Sequence, residues 1–298
     1  LWARTLRRVA RQSFGHAAIY GDVDGLPRLK SALTDHLARQ RGVNASPAQI
    51  IVVPSIQAGL SLVAQCLADP GEVGFVESPG YFGARTAFAG AGLVTRTLEV
   101  DEQGADPAAL AGSGARLGYV TTSHHYPLQG ISRGGEVIYL GTTAKSLLPG
   151  LRLAYMVVPD TLAGPLRQAQ RNMGLRVNIH AQAAYADLIE TGALVTHLKR
   201  IARLYEDRGR LLVETLRARL GGAIAIGMPM GGLQTVMGFA DHVDDTRVAA
   251  LLADQGFETP ALSSYCAGQK RKGLVVGFAD ATDKRVARFA GLLEGLLN

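Results

Sequence analysis

Apolar and polar positions in this chain switch between two periods, and the switches mark out its elements. Short runs rich in Val, Ile and Leu, bounded by Gly, Pro or charge, predict strands at Gln49–Pro54, Glu72–Glu77, Gly92–Leu98, Arg116–Thr122, Glu136–Leu140 and Leu153–Val158. Helical spacing predicts an entry at Asp22–Leu33, a helix over Gln57–Leu67 and a long helical stretch from Ile179 to Leu220. Leu233–Phe239 and Gly273–Ala279 read as strands of a smaller α+β unit, closed by a helix over Asp283–Leu297. Alternation of this kind predicts an α/β fold, with a mostly parallel sheet sandwiched by helices. We place a major domain over 1–185, with its N-terminal segment, and a minor C-terminal domain over 186–298.

One junction breaks the pattern. The strand ending near Thr122 runs into Ser123-His-His-Tyr-Pro127, and few residues follow before the next strand near Glu136. A parallel crossover needs about a dozen or more residues, usually carrying a helix. Either these two strands are antiparallel neighbours, or a segment is missing near 128–130.

Composition narrows the class. The 298 residues are 47% hydrophobic with 36 Gly, enough for a filled core and two domains. The net charge of +6 is scattered rather than blocked. Its densest patch, His197–Arg208, has the spacing of a solvated helix face rather than of a nucleic-acid contact. Cys66 and Cys266 lack metal or redox spacing and read as free, buried thiols of a reducing compartment. No run approaches the roughly 20 apolar residues of a membrane span, and no signal peptide is visible, so the expectation is a soluble cytoplasmic protein. The chain opens on Leu1-Trp2 rather than Met, which predicts a piece of something longer.

The chemistry centres on Tyr139-Leu-Gly-Thr-Thr-Ala-Lys145-Ser-Leu-Leu-Pro-Gly-Leu-Arg152. A lysine buried at a strand end is costly, because its ammonium is strongly hydrated. Either Lys145 is a solvated lysine in a turn, or it is held there to condense with an aldehyde. Three features suit the second alternative. Ser55-Ile56-Gln57 lies between a strand and a helix, where backbone N–H groups bind phosphate, although any capped helix start looks the same. Tyr81, in Glu77-Ser-Pro-Gly-Tyr81, could stack on a flat ring or pack as a surface tyrosine. Arg152 could grip a phosphate through two hydrogen bonds or form a structural ion pair.

Together these segments, with Ile19-Tyr20-Gly-Asp-Val-Asp-Gly25 and Ser123-His124-His125-Tyr126-Pro127-Leu, resemble a fold-type I pyridoxal 5′-phosphate (PLP) protein of the aspartate aminotransferase superfamily. More narrowly, the chain resembles the aminotransferase-like domain of MocR-type regulators of the GntR family. The resemblance implies that Lys145 holds PLP as a Schiff base and, in an enzyme, also acts as the catalytic base. It further implies that Arg152, the Ser55–Gln57 turn and Thr142 hold the phosphate, and that Tyr81 stacks on the ring. Tyr126 and His124 would stand near the ring's O3′ edge. Tyr20 would reach the phosphate of a neighbouring subunit, which implies a homodimer with shared sites. No metal is implied.

Two departures qualify it. An acidic stretch expected between the Ser-His motif and the lysine strand, whose aspartate pairs with the pyridinium nitrogen, is absent. It would belong inside the short junction above. The C-terminal strand Gly273–Phe278 carries aliphatic residues where aminotransferases place an arginine for the substrate carboxylate, leaving Arg271 and Arg85 as other anion candidates. The expectation is therefore a PLP-binding effector or sensor domain of a MocR-type transcriptional regulator. Its effector would be an amine, an amino acid or PLP itself, and it would reach DNA through an N-terminal domain not in this chain. The alternative is a PLP-dependent aminotransferase acting on an amino acid or amine.

Overall fold

Four consecutive apolar residues, Ile50–Val53, form strand β1, and all four are buried. Such a run, rather than an alternating one, is the mark of a strand covered on both faces. The computed structural model describes residues 1–11, 24–101, 104–105, 108, 113–121, 136–229, 231–268 and 270–297. Within them, β1 pairs with β7 (Ala154–Val157), which pairs in turn with β6 (Tyr139–Thr142). Both pairings are antiparallel, so β1 and β6 run the same way and β7 runs against them. The reversal has a simple cause: the link from β6 to β7 is too short for a parallel crossover.

Helices cover both faces of this sheet. On one side, α2 (Pro27–Arg41) and α6 (Ile179–Glu190) pack on Ile50, Val52, Tyr155 and Val157. Leu29, Leu33 and Leu37 recur every four residues along α2, and all are fully buried. Each such burial contributes roughly 1.5–3 kcal/mol. On the other side lies α3 (Ile56–Leu67), where a side chain at Gly59 would come within 3.1 Å of Met156 and 3.2 Å of Leu140. Helix α5 (Asp160–Asn172) packs beside α3, and α1 (Trp2–Ala10) seats Val9 against Ala183 and Ala184.

A second sheet has the order β4-β3-β2-β5, with β2 at Val73–Ser78, β3 at Val94–Asp101, β4 at Gly104–Ala105 and β5 at Ala115–Tyr119. Helix α4 (Phe82–Gly90) links β2 to β3. The bonds Gly71 N–H to Gly92 O and Val94 N–H to Glu72 O advance together along both segments, as parallel neighbours do. β5 and β6 are each the edge strand of a different sheet, so the described strands are not the antiparallel neighbours that one expectation offered. The residues of that junction, 122–135, lie outside the described set.

A third, antiparallel sheet has the order β10-β9-β8, with β8 at Ala225–Ile226, β9 at Gln234–Gly238 and β10 at Gly273–Gly277. It packs with α7 (Ala193–Leu220), α8 (Asp245–Asp254) and α9 (Asp283–Leu297) around Leu216, Met237, Leu252, Leu274 and Leu293. The expected single helical stretch over 179–220 is two helices, separated at Thr191-Gly192, where Gly192 takes φ +70°. The exposed Lys199, Arg200 and Arg203 of α7 form the solvated face read from the sequence. Cys66 and Cys266 are free, Cys266 buried but Cys66 only half-buried. Among the described residues no helix is long and apolar enough to cross a membrane. By compactness the chain divides into 1–74, 83–94 and 125–198 as one unit, and 75–82, 95–124 and 199–298 as the other.

Candidate functional site

The register of the first sheet gathers most of the predicted residues. Val53, the last residue of β1, and Thr142, the last of β6, both pair with Ala154 at the start of β7. Ser55 therefore follows β1, the Lys145 turn follows β6, and Arg152 precedes β7, all at one end of three adjacent strands. Ser55 caps α3, its Oγ accepting Ala58 N–H at 3.1 Å. Ile56 and Gln57 open the first turn, at the end of a helix where backbone N–H groups point outward.

Lys145 stands in a turn three residues beyond β6, and it is exposed. The costly burial expected of it is not present, because the strand ends at Thr142 and the chain turns outward there. Thr143 builds this turn. It is 1% exposed, its Oγ1 donates to Leu153 O at 2.8 Å, and its own carbonyl accepts Ser146 N–H and Leu147 N–H. The Thr142 hydroxyl accepts Ala144 N–H at 3.1 Å, so it shapes the same turn. From α7, His197 Nε2 meets Ser146 O at 2.9 Å. Sequence reading missed Thr143 and His197; the second threonine of a Thr-Thr pair just before the lysine was the available signal for the first.

Arg152 is the one non-glycine among the described residues with positive φ, at +50°. A left-handed arginine costs on the order of 1 kcal/mol and persists where surrounding structure holds it. It is exposed, and among the described residues no ion pair or hydrogen bond engages its guanidinium. The structural ion pair that the sequence left open is therefore not seen among them.

Tyr81 belongs to the other unit, just past β2. The residue is 42% exposed, and its ring lies 6.0 Å from that of Tyr119, tilted by 47°. Burial pushes the Tyr119 phenol up. Arg271 donates to Val100 O at 2.7 Å, and Arg85 is exposed on α4. β10 presents only Gly, Leu and Val over Gly273–Gly277. Tyr20, His124 and Tyr126 lie outside the described residues.

The donor set at the strand ends suits one chemistry. It combines a primary amine, a guanidinium and a helix N-terminus, with no carboxylate anywhere in residues 54–57 or 142–152. An anion fits the guanidinium and the helix end, and an aldehyde fits the amine. A phosphorylated aldehyde satisfies both, so PLP fits the residues present.

Fold and site together define the class of the PLP-dependent transferases of fold-type I. The aminotransferase class I and II family matches residues 2–113 and 112–291, and the chain belongs to it. Among solved structures, the kynurenine aminotransferase of Pyrococcus horikoshii superposes with a TM-score of 0.88 at 18% identity, covering 99% of this chain and 86% of that one.

Within the family, the chain is similar to regulators. It is 32% identical over 328 positions to the probable rhizopine catabolism regulatory protein MocR of Rhizobium meliloti, covering 95% of this chain and 66% of that protein. It is 28% identical over 315 positions to the pyridoxine biosynthesis regulator PdxR of Corynebacterium glutamicum, an HTH-type protein, covering 91% and 68%. The chain thus spans about two thirds of these relatives. Since 95% of this chain is about 283 residues, about 45 of the 328 positions have no counterpart here. The second relative gives about the same excess, 315 positions against about 271 residues.

Proposed function

We propose that this chain is the PLP-binding sensor domain of a MocR-type transcriptional regulator. The observation that carries this is the convergence of Ser55, Lys145 and Arg152 on one end of the β1-β7-β6 sheet, in a chain similar to HTH regulators along most of its length. PLP, when bound, supplies an aldehyde that condenses with amines and a ring that withdraws electrons.

In this reading Lys145 would hold the cofactor through its amine, a group that condenses with aldehydes. Arg152 and the N–H groups of Ile56 and Gln57 hold the phosphate, while Ser55 fixes the helix start and Thr142 the turn. Tyr81 covers one face of the ring. Tyr126 and His124 act at its edge, and Tyr20 reaches into the site of a second copy, so the working form is a homodimer. The protein acts in the cytoplasm, and DNA is gripped by a helix-turn-helix region outside this chain. An amine, an amino acid or PLP itself is the effector. A sensor needs different affinities of two conformations for its ligand, and turnover is not required.

The positions without counterpart sharpen that choice. We place them between Tyr119 and Tyr139, where two edge strands, β5 and β6, follow each other without a crossover among the described residues. A block of about 45 residues is long enough for a helix and one strand. An acidic partner for the ring nitrogen belongs to such a block by the resemblance stated above, and without it the ring withdraws electrons poorly. The aliphatic β10 also lacks a cation for a substrate carboxylate, which disfavours ordinary transamination.

The test is promoter binding by the protein of the full open reading frame. We expect a shift of its own promoter fragment that changes when PLP is added. Failure to bind any promoter fragment, with or without PLP, sinks the reading. The aminotransferase alternative draws on the solved neighbours, and multiple turnovers on a keto acid would favour it.

A further inference from the structure

Tyr81 follows the turn Ser78–Gly80, and that turn is mounted on a loop far away in sequence. Ser78 is fully buried, and its Oγ accepts the N–H groups of Ala267 and Gly268, each at 3.2 Å. Gly80 N–H donates to Tyr265 O at 3.2 Å. Only glycine fits at the third position of the turn, since a side chain at Gly80 would lie 2.3 Å from Glu77 O.

The loop that receives these bonds, residues 261–268, is itself anchored by one carboxylate. Asp245, at the first position of α8, is fully buried. It accepts Ser263 N–H and Ser263 Oγ–H, both at 2.9 Å, Gly273 N–H at 3.3 Å and the Lys272 ammonium at 3.3 Å. Lys270 donates to the carbonyls of Ser263 and Cys266, at 3.0 and 2.9 Å. Burial works against the charge of Asp245, but these donors outweigh it and hold its carboxyl below the usual range. A fully satisfied buried carboxylate is rigid, and removing it leaves several donors without an acceptor.

We propose that Asp245 is a positioning residue for Tyr81, acting through the 261–268 loop and Ser78 to hold the aromatic plate that covers the cofactor ring. The inference rests on the reading of Tyr81 as that plate. It assigns Asp245, Ser263 and Ser78 a role in cofactor affinity although none of them touches the cofactor. Orientation of Tyr81 is set from the C-terminal segment, through bonds that all lie within one compact unit.

Two measurements test it. Amide hydrogen exchange, taken without cofactor, reads the mount directly. Asp245→Asn and Ser78→Ala each raise exchange across residues 78–82 by about tenfold, while Asp280→Asn, at an exposed carboxylate, leaves it unchanged. Wild-type exchange at 78–82 in both variants overturns the proposal. PLP titration then reads the consequence. Both variants weaken PLP binding by about fivefold to tenfold, and Asp245→Asn adds nothing further in a Tyr81→Ala background. Equal further loss in that background contradicts a route through Tyr81. Should Asp245→Asn fail to fold, Ser78→Ala carries both arms. A wild-type protein that takes up no PLP overturns the cofactor reading, and exchange still decides the mount.

Discussion

Val53 and Thr142 meet the same residue, Ala154, from opposite sides of β7. Two strands nearly ninety residues apart in sequence thus end level with each other, and the strand between them begins there. That one register brings a helix N-terminus, a lysine turn and an arginine together without any of them being buried in the core. The site is a product of strand length and direction before it is a product of side chains.

Thr143 should be the residue on which the lysine turn depends. Thr143→Val keeps the shape but removes one of the two bonds to Leu153 O, whose carbonyl still accepts Thr143 N–H at 3.2 Å. We expect a loss of about 0.5–1.5 kcal/mol in urea unfolding, with weaker PLP uptake. Unchanged stability and uptake would remove Thr143 from the site.

Gly141 sits against the ring of Tyr155, and a side chain there would lie 2.2 Å from it. Gly141→Ala should therefore cost about 1–3 kcal/mol through overpacking between β6 and β7. Gly150→Ala, where nothing lies within 4 Å, is the control and should stay within about 0.5 kcal/mol. Denaturant midpoints for the two variants check this directly.

Arg152 separates stability from binding. Arg152→Gly relieves the left-handed backbone but frees the unfolded chain, so folded stability should stay within about 1 kcal/mol of wild type. PLP affinity should fall by at least about tenfold, the scale of a lost charge-assisted bond. A variant that binds PLP as well as wild type would exclude Arg152 as the phosphate ligand.

The pH response of stability should carry a signature of His36. Burial pushes its imidazole down, and Arg41 and Arg39 add to the shift. The folded protein keeps this ring neutral at pH values where the unfolded chain binds a proton, so the unfolded state gains protons first. Stability is present above about pH 6.5, the ordinary imidazole value, and is lost as pH falls towards and through the depressed folded value. His36→Gln should flatten the decline between about pH 7 and pH 5.5. An unchanged slope in urea unfolding across that range would assign the decline to other groups.

Much of this was legible from residue pattern. β1 and α3 read clearly because an apolar run meets a capped helix at Ser55, and α9 was read with its observed bounds. Helices α1, α4, α5 and α8 were not recognised, because Ala and Gly in α4 and charge in α8 blur the apolar stripe. The antiparallel course of β7 was also hidden, since direction depends on link length and pairing, not on composition. At the site, Lys145, Arg152 and Ser55 stood out by type and spacing. Thr143 and Asp245 did not, because their roles are hydrogen bonds to carbonyls and amides that sequence distance conceals.

We propose above all that Lys145 carries the cofactor. Incubating the protein with PLP, reducing it with borohydride and mapping the modified peptide by mass tests this most directly. We expect one phosphopyridoxyl group, on the peptide containing Lys145, and none in Lys145→Ala. A label on another lysine, or the same labelling in Lys145→Ala, would contradict it.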